Sequence, residues 1–248
     1  MVRESDKLVF DNLISECAMN GKNDFGIGTY SEKSIHFILK SFFERDTDYH
    51  EVAFKGYVAD AMRDGRITEI QTATLSGLRD KLDAFLPDAC VRLVFPIRKK
   101  RKVIWIDPQT GEVSKSPRYT AGENMYSLLC ELIYIVDYLR HPSLTLTVVE
   151  MNVEDYRYLD GYGADRKKRA SKIDTVPVEL VDIRDIDISR DLADLVPKGL
   201  PEAFTRNEFS SATKLKGRAL WAALKVLETL EIIKRTDPIG RRHRYKLT

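Results

Sequence analysis

Residues 57–72 of the chain read YVADAMRDGRITEIQT, with two runs of strand-forming residues on either side of Asp64-Gly65. Asp-Gly between extended runs is a strong short-range signal for a two-residue β-hairpin, because a type I′ turn needs positive φ at both central positions. Such a turn pairs Arg63 with Arg66 and fixes the register of everything that follows outward. The stretch therefore predicts a tight antiparallel hairpin.

The hairpin brings two acidic residues together. Counted outward from the turn, Asp60 falls opposite Glu69, and paired side chains share one face with Cβ atoms about 4.5–5.5 Å apart. Two carboxylates at that distance repel each other, and their oxygens are suitable ligands for Mg²⁺ or Mn²⁺. Such a metal lowers the pKa of bound water and stabilises the charge that develops on a phosphate during transfer. The alternative interpretation is an exposed hairpin whose acids are solvated.

The order of a helix, a hairpin with Asp on one strand and Glu-x-Gln on the next, a further helix and more strands resembles the PD-(D/E)XK nuclease superfamily. The resemblance covers about residues 30–150. It implies an α/β, restriction-endonuclease-like mixed sheet flanked by helices, and metal-dependent hydrolysis of phosphodiesters in nucleic acid. It assigns metal binding to Asp60 and Glu69, orientation of the attacking water to Gln71, and an accessory acid to Glu32.

Two departures from the superfamily pattern bear on catalysis. Ala59 precedes the aspartate where a proline is usual, and Gln71 takes the place of the usual lysine. In this superfamily the cation sometimes lies on a neighbouring helix, and Lys81 is a candidate there beside Arg79. Both are also typical of the solvent face of an amphipathic helix. His36 is either a proton carrier or a residue packed at the edge of the core.

Apolar periodicity gives the remaining elements of a first domain, over residues 1–190. Predicted helices cover about residues 1–20, 31–45, 75–86 and 125–139, and predicted extended segments cover 50–72, 91–97, 103–106, 144–149 and 178–188. Five consecutive basic residues, 98–102, lie between two of these strands and are interpreted as a solvated connecting turn or, alternatively, as part of a track for a nucleic-acid backbone.

A second unit is predicted over residues 195–248. Thr205 and Glu208 have the spacing of a capping box that opens a short helix. A second helix follows from about 218 to 230, and then two alternating runs flank a Pro-Ile-Gly turn. Helix-turn-helix followed by a hairpin is typical of a winged helix-turn-helix domain, which binds nucleic acid or, in the alternative interpretation, docks on a protein.

The charge distribution is typical of a unit that binds a polyanion such as nucleic acid or, in the alternative interpretation, of a solvated surface helix and tail. From 214 to 248 there are ten Lys or Arg and three acids, a balance of +7 in a chain whose net charge is +2, so the remainder carries about −5. The second helix would meet the major groove of duplex DNA with its first residues, and the wing would meet phosphate. The predicted contacts are Lys214, Lys216 and Arg218 on the helix, and Arg241, Arg242 and Arg244 on the wing.

The amino-acid composition restricts the class of protein and the compartment in which we expect it. The 248 residues are 43% hydrophobic and 31% charged, which permits a packed core and opposes disorder. Three widely spaced cysteines make neither a disulfide framework nor a zinc site. We expect a cytoplasmic, soluble protein, with a homodimer possible. The leading function is a metal-dependent nuclease, and the alternative is a non-catalytic DNA-binding regulator or adaptor with a degenerate nuclease fold, which Gln71 favours.

Overall fold

The computed structural model describes residues 2–20, 33–161, 170–239 and 242–248. These residues form a mixed α/β fold in which a large mixed sheet is flanked by helices. None of the helices in these ranges combines the length and the apolar character needed to cross a membrane.

The sheet of the described residues has eight strands, and its central strands are parallel. The order is β1-β2-β3-β4-β7-β8, with the short strands β5 and β6 paired to β4. Pairing is parallel between β3, β4 and β7 and antiparallel elsewhere. The bounds are β1 His50–Phe54, β2 Tyr57–Arg63, β3 Arg66–Ile70, β4 Cys90–Ile106, β5 Val113–Lys115, β6 Thr120–Ala121, β7 Leu144–Tyr158 and β8 Ser171–Asp185.

Helices cover both faces of this sheet. Helices α1 (Glu4–Asn20) and α2 (Ser34–Phe43) pack on one face, which includes Ile70 and Val94. Helices α3 (Arg79–Phe85) and α4 (Met125–Glu131) pack on the other, which includes Ile67 and Leu93. Because adjacent residues of a strand point to opposite faces, the two apolar clusters are separated by the sheet itself.

The extended segment 50–72 contains one more strand than the sequence predicts. A second tight turn, Lys55-Gly56, joins β1 to β2 with φ values of 51° and 83°, close to the 50° and 73° of Asp64-Gly65. Phe54 pairs with Tyr57 across it. Lysine rarely occupies positive φ, so Lys-Gly is a weaker turn signal than Asp-Gly. The sequence pattern therefore does not predict the β1–β2 hairpin.

The basic run 98–102 is part of a strand, and its interpretation as a turn is wrong. Strand β4 continues through it, with a register shift against β7 between Arg98 and Lys100. Acidic side chains distant in sequence pair with three of its five cations: Arg98 pairs with Glu123, Lys99 with Glu150, and Arg101 with the buried Asp155. The helix predicted over 125–139 also differs, since α4 ends at Glu131 and two 3₁₀ turns follow it.

A C-terminal unit follows β8. It contains helices α5 (Ile188–Ala193), α6 (Arg206–Thr213) and α7 (Gly217–Thr229) and strands β9 (Phe204–Thr205), β10 (Ile233–Ile239) and β11 (Arg242–Leu247), with strand order β10-β11-β9. The predicted capping box is present at the start of α6. Helix α7 packs against α4, and Leu224 and Leu128 belong to one continuous apolar cluster.

Candidate active site

The hairpin of β2 and β3 has the predicted register. Arg63 pairs with Arg66, Met62 with Ile67 and Ala61 with Thr68. The next pair outward is Asp60 and Glu69, where hydrogen bonds between main-chain N–H groups and side-chain carboxylates replace the main-chain pairing. The Ile70 N–H donates to Asp60 Oδ2 at 2.7 Å, and the Asp60 N–H donates to Glu69 Oε1 at 3.3 Å. Each acid therefore accepts from the main chain of the other strand, and the two are fixed side by side.

Glu69 is fully buried and is held by Lys81 of α3. The Lys81 Nζ donates to Glu69 Oε2 at 2.8 Å and to Oε1 at 3.1 Å, and the glutamate side chain has no exposed surface. Burial, and after it the negative charge of Asp60, raise the pKa of Glu69 to about 7 in spite of the ammonium group. A carboxyl that titrates near neutrality is suited to proton transfer or to exchanging its proton for a metal ion.

Asp60 is held from the other side by α2. The His36 Nε2 lies 3.2 Å from Asp60 Oδ2. The start of α2 is itself fixed to β8, because Asp174 Oδ2 accepts from the Ser34 hydroxyl at 2.5 Å and from the Ser34 N–H at 3.2 Å. No sequence signal connects Ser34 with Asp174, which lie 140 residues apart.

The two carboxylates are approached from opposite faces of the sheet. Period-two alternation predicts that both acids project to one face, but α2 contacts Asp60 and α3 contacts Glu69. Helix α2 packs on one face of the sheet and α3 on the other, so the hairpin lies between the two partners. The site is thus a row across the sheet: His36, Asp60, Glu69 and Lys81.

The other candidate residues contribute less to this geometry. Gln71 follows the end of β3, half-buried, and its N–H donates to Val94 O at 3.0 Å; its side chain forms no hydrogen bond with either acid. Arg79 pairs with Asp137 instead of the acids. Glu32 lies outside the described residues. Across the described ranges, no three His, Cys, Asp or Glu side chains are arranged to hold a metal ion.

The basic residues predicted for the C-terminal unit have different environments. Lys214 and Lys216 are exposed in the connection between α6 and α7. Arg218 donates to the Tyr134 hydroxyl of the body at 2.8 Å. Arg244 donates to the Ala203 carbonyl at 2.8 and 3.2 Å, so its guanidinium is already engaged within the unit. Arg241 and the side chain of Arg242 lie outside what the structure describes.

The sequence profile of the family described as "Domain of unknown function (DUF8091)" matches residues 33–187. The chain belongs to this family. The matched segment runs from just before α2 to just after β8, so all four residues of the site lie in the DUF8091 domain, whereas the elements of the C-terminal unit lie beyond it.

One relative with a matching sequence is an "Uncharacterized protein" of Treponema pallidum (strain Nichols). It is 28% identical over 181 residues, which cover 72% of this chain and 71% of the relative. No solved structure matches the chain.

Proposed function

We propose that this DUF8091 protein is a metal-dependent nuclease that hydrolyses phosphodiester bonds in nucleic acid. The observation that carries the proposal is the convergence of Asp60, Glu69 and Lys81 from three elements, with a fully buried glutamate whose pKa is raised to about 7. Burial of a carboxylate beside a second acid is unfavourable. Residues whose pKa is perturbed in this way cluster at functional sites.

The arrangement of elements supports a relation to the PD-(D/E)XK superfamily. Helix α2, the meander β1-β2-β3, helix α3 and the parallel strand β4 follow the helix–hairpin–helix–strand order of the sequence resemblance. Asp60 is on β2, Glu69 is on β3, and the cation that the Gln71 position lacks is supplied by Lys81 from α3. We propose a restriction-endonuclease-like body on this basis.

The donor chemistry fits a hard divalent cation, with Asp60 and Glu69 as its protein ligands. Lys81 pairs with Glu69 and not with Asp60, so the trio with both acids ionised carries an excess of negative charge that Mg²⁺ or Mn²⁺ would balance. When bound, the metal would supply a water of lowered pKa and would stabilise charge on the phosphate. Lys81 orients Glu69 and offers positive charge to the phosphate, and His36 is placed to exchange a proton through Asp60.

We further propose that the C-terminal unit is a winged helix that delivers the body to duplex DNA. The order α5-β9-α6-α7-β10-β11, with β11 between β10 and β9, fits that fold. Helix α7 exposes Trp221 and Lys225, and the exposed Lys214 and Lys216 precede it. Positive charge beside an exposed aromatic ring suits a polyanion with stacked bases.

A second candidate is a non-catalytic DNA-binding regulator or adaptor. Lys81 already neutralises Glu69 through both oxygens, and a pair of this kind can be purely structural. In this candidate the acids stabilise the hairpin and bind no metal.

A nuclease assay separates the two candidates. Single- and double-stranded DNA and RNA are incubated with the protein and Mg²⁺ or Mn²⁺. We expect the wild type to cleave at least one of these substrates. Asp60→Asn and Lys81→Met should each reduce the cleavage rate at least a hundredfold. Glu112→Gln, which replaces an exposed acid elsewhere, should leave the rate unchanged. Cleavage that persists in both site variants, or no cleavage of any substrate, would refute the nuclease proposal.

A further inference from the structure

A cavity separate from the acidic row opens where α2 ends. Its volume is about 540 Å³, and it is lined by residues of α1, the end of α2, β4, β7 and the end of β8. His36, which contacts Asp60, lies in the first turn of α2, whereas the cavity is lined by Phe42 and Phe43 in its last turn. The two sites therefore lie at opposite ends of one helix.

The cavity gathers more cations than anions. Four arginines line it, Arg3, Arg45, Arg92 and Arg184, against two aspartates, Asp6 and Asp185. Asp6 is engaged by Arg3 at 2.9 and 3.0 Å, and Asp185 accepts from Thr147 at 2.6 Å. Within the described ranges, neither Arg45 nor Arg92 has a carboxylate partner.

Arg92 is the unusual member of this set. Its guanidinium lies over the Phe43 ring, 5.4 Å from the centroid, and its Nε is buried without a hydrogen-bond partner. A buried donor without an acceptor is unfavourable, and native proteins pair nearly all such groups with protein, water or ligand. Because Arg92 lines the cavity, an anionic molecule bound there would lie beside its cationic side chain.

We propose that this cavity binds a small phosphorylated molecule with a planar ring, of the nucleoside monophosphate class. Arginine forks match phosphate oxygens in geometry and charge, and Arg92 and Arg45 would hold the phosphate. The apolar wall of Phe42 and Ile183 would receive the ring. The volume lies within the range of about 300–1,000 Å³ that small-molecule sites occupy.

Calorimetric titration of the full chain with adenosine monophosphate, adenosine and inorganic phosphate tests this site. We expect adenosine monophosphate to bind at least tenfold more tightly than either fragment, because the fragments occupy only one half of the cavity. Arg45→Ala and Arg92→Gln should each weaken its binding at least tenfold, whereas Arg66→Ala, which removes an exposed arginine outside the cavity, should not. Arg45 is exposed, so its variant tests the site even if Arg92→Gln fails to fold.

The outcome is independent of the nuclease proposal. Glu69→Gln should bind adenosine monophosphate as the wild type does, because Lys81 of α3 holds the Glu69 side chain from the other face of the sheet, whereas the cavity lies against α1 and α2. Absence of binding at millimolar concentration, equal binding by Arg45→Ala, or inorganic phosphate binding as tightly as the nucleotide would each overturn the assignment. The same holds if the arginine variants weaken duplex DNA binding alone, since the arginines would then contact a nucleic acid backbone.

Discussion

The Lys81 Nζ lies 2.8 Å from one oxygen of Glu69 and 3.1 Å from the other, and that glutamate has no exposed surface. Lys81 itself keeps about a quarter of its side chain exposed, at 24%. The ion pair thus joins a buried acid to a cation that reaches the solvent.

Removal of the cation should destabilise the protein most at alkaline pH. In Lys81→Met the buried glutamate has no counter-charge, and breaking a buried pair costs about 3–5 kcal/mol. Because Glu69 can take up a proton and Lys81 is partly solvated, we expect a loss of about 2–3 kcal/mol at pH 8 and less at pH 5. Urea unfolding at both pH values measures it. The double variant with Glu69→Gln should recover most of the loss; failure to do so would mean that the lysine stem, not its charge, stabilises the fold.

The raised pKa of Glu69 makes its contribution to stability fall as the pH rises. The folded protein holds the proton up to about pH 7, whereas the unfolded chain releases it near 4.5. The free energy of unfolding due to this group is therefore highest below pH 4.5 and decreases by about 3 kcal/mol by the time the pH exceeds 7. Since other acids also titrate in this range, the quantity to measure is the difference between wild type and Glu69→Gln. A difference that does not change from pH 5 to pH 8 would contradict the assigned pKa.

Metal binding should depend on pH through the same proton. Mn²⁺ must displace the proton of Glu69, so below pH 7 the affinity should fall about tenfold for each pH unit. Calorimetry at pH 6 and pH 8 should show this change for the wild type and for Glu112→Gln. Glu69→Gln and Asp60→Asn should bind no Mn²⁺ at the same concentrations. Equal binding by the wild type and Glu69→Gln would locate any metal elsewhere and would favour the adaptor.

Two glycines offer a matched test of the turn that sets the register. A Cβ at Gly65 or at Gly77 would meet no atom within 4 Å, but Gly65 has φ +73° and Gly77 has no positive φ. Gly65→Ala should therefore lower stability by about 1–2 kcal/mol through backbone strain alone. Gly77→Ala should be neutral or stabilising by about 0.4–1 kcal/mol. Equal effects of the two substitutions in thermal unfolding would mean that the turn conformation does not limit stability.

Binding of DNA by the C-terminal unit should depend on salt. Each cation that contacts a phosphate contributes a slope of about −0.9 in log affinity against log salt concentration. Substitution of both Lys214 and Lys216 by Ala should flatten the slope by about two units on a duplex oligonucleotide. Arg244→Ala is the control, since its guanidinium is engaged by Ala203, and it should lower the melting temperature with little change in slope. An unchanged slope in the double-lysine variant would indicate a protein-docking unit.

Much of the fold could be predicted because its signals are local. The apolar periodicity that predicts α2 lies within ten consecutive residues, and the capping box that predicts the start of α6 lies within four. The continuity of β4 could not be predicted in this way, since five consecutive basic residues are typical of a solvated turn. The acidic partners of three of them, Glu123, Glu150 and Asp155, lie 25 to 54 residues farther along the chain. The pairing of β4 with β7 through this run is likewise a long-range feature that no local signal indicates.

The sequence by itself determined that Asp60 and Glu69 are neighbours, because a two-residue turn with positive φ leaves one register and the acids are equally distant from it. Only the tertiary structure decided how deeply those acids are buried and which groups contact them. Helices from both faces bury Glu69, bring Lys81 to it and place His36 against Asp60. Burial and Coulomb energy depend on all groups packed around a charge, and the sequence gives no distance between groups on separate elements. The pKa of Glu69 is therefore a property of the assembled fold.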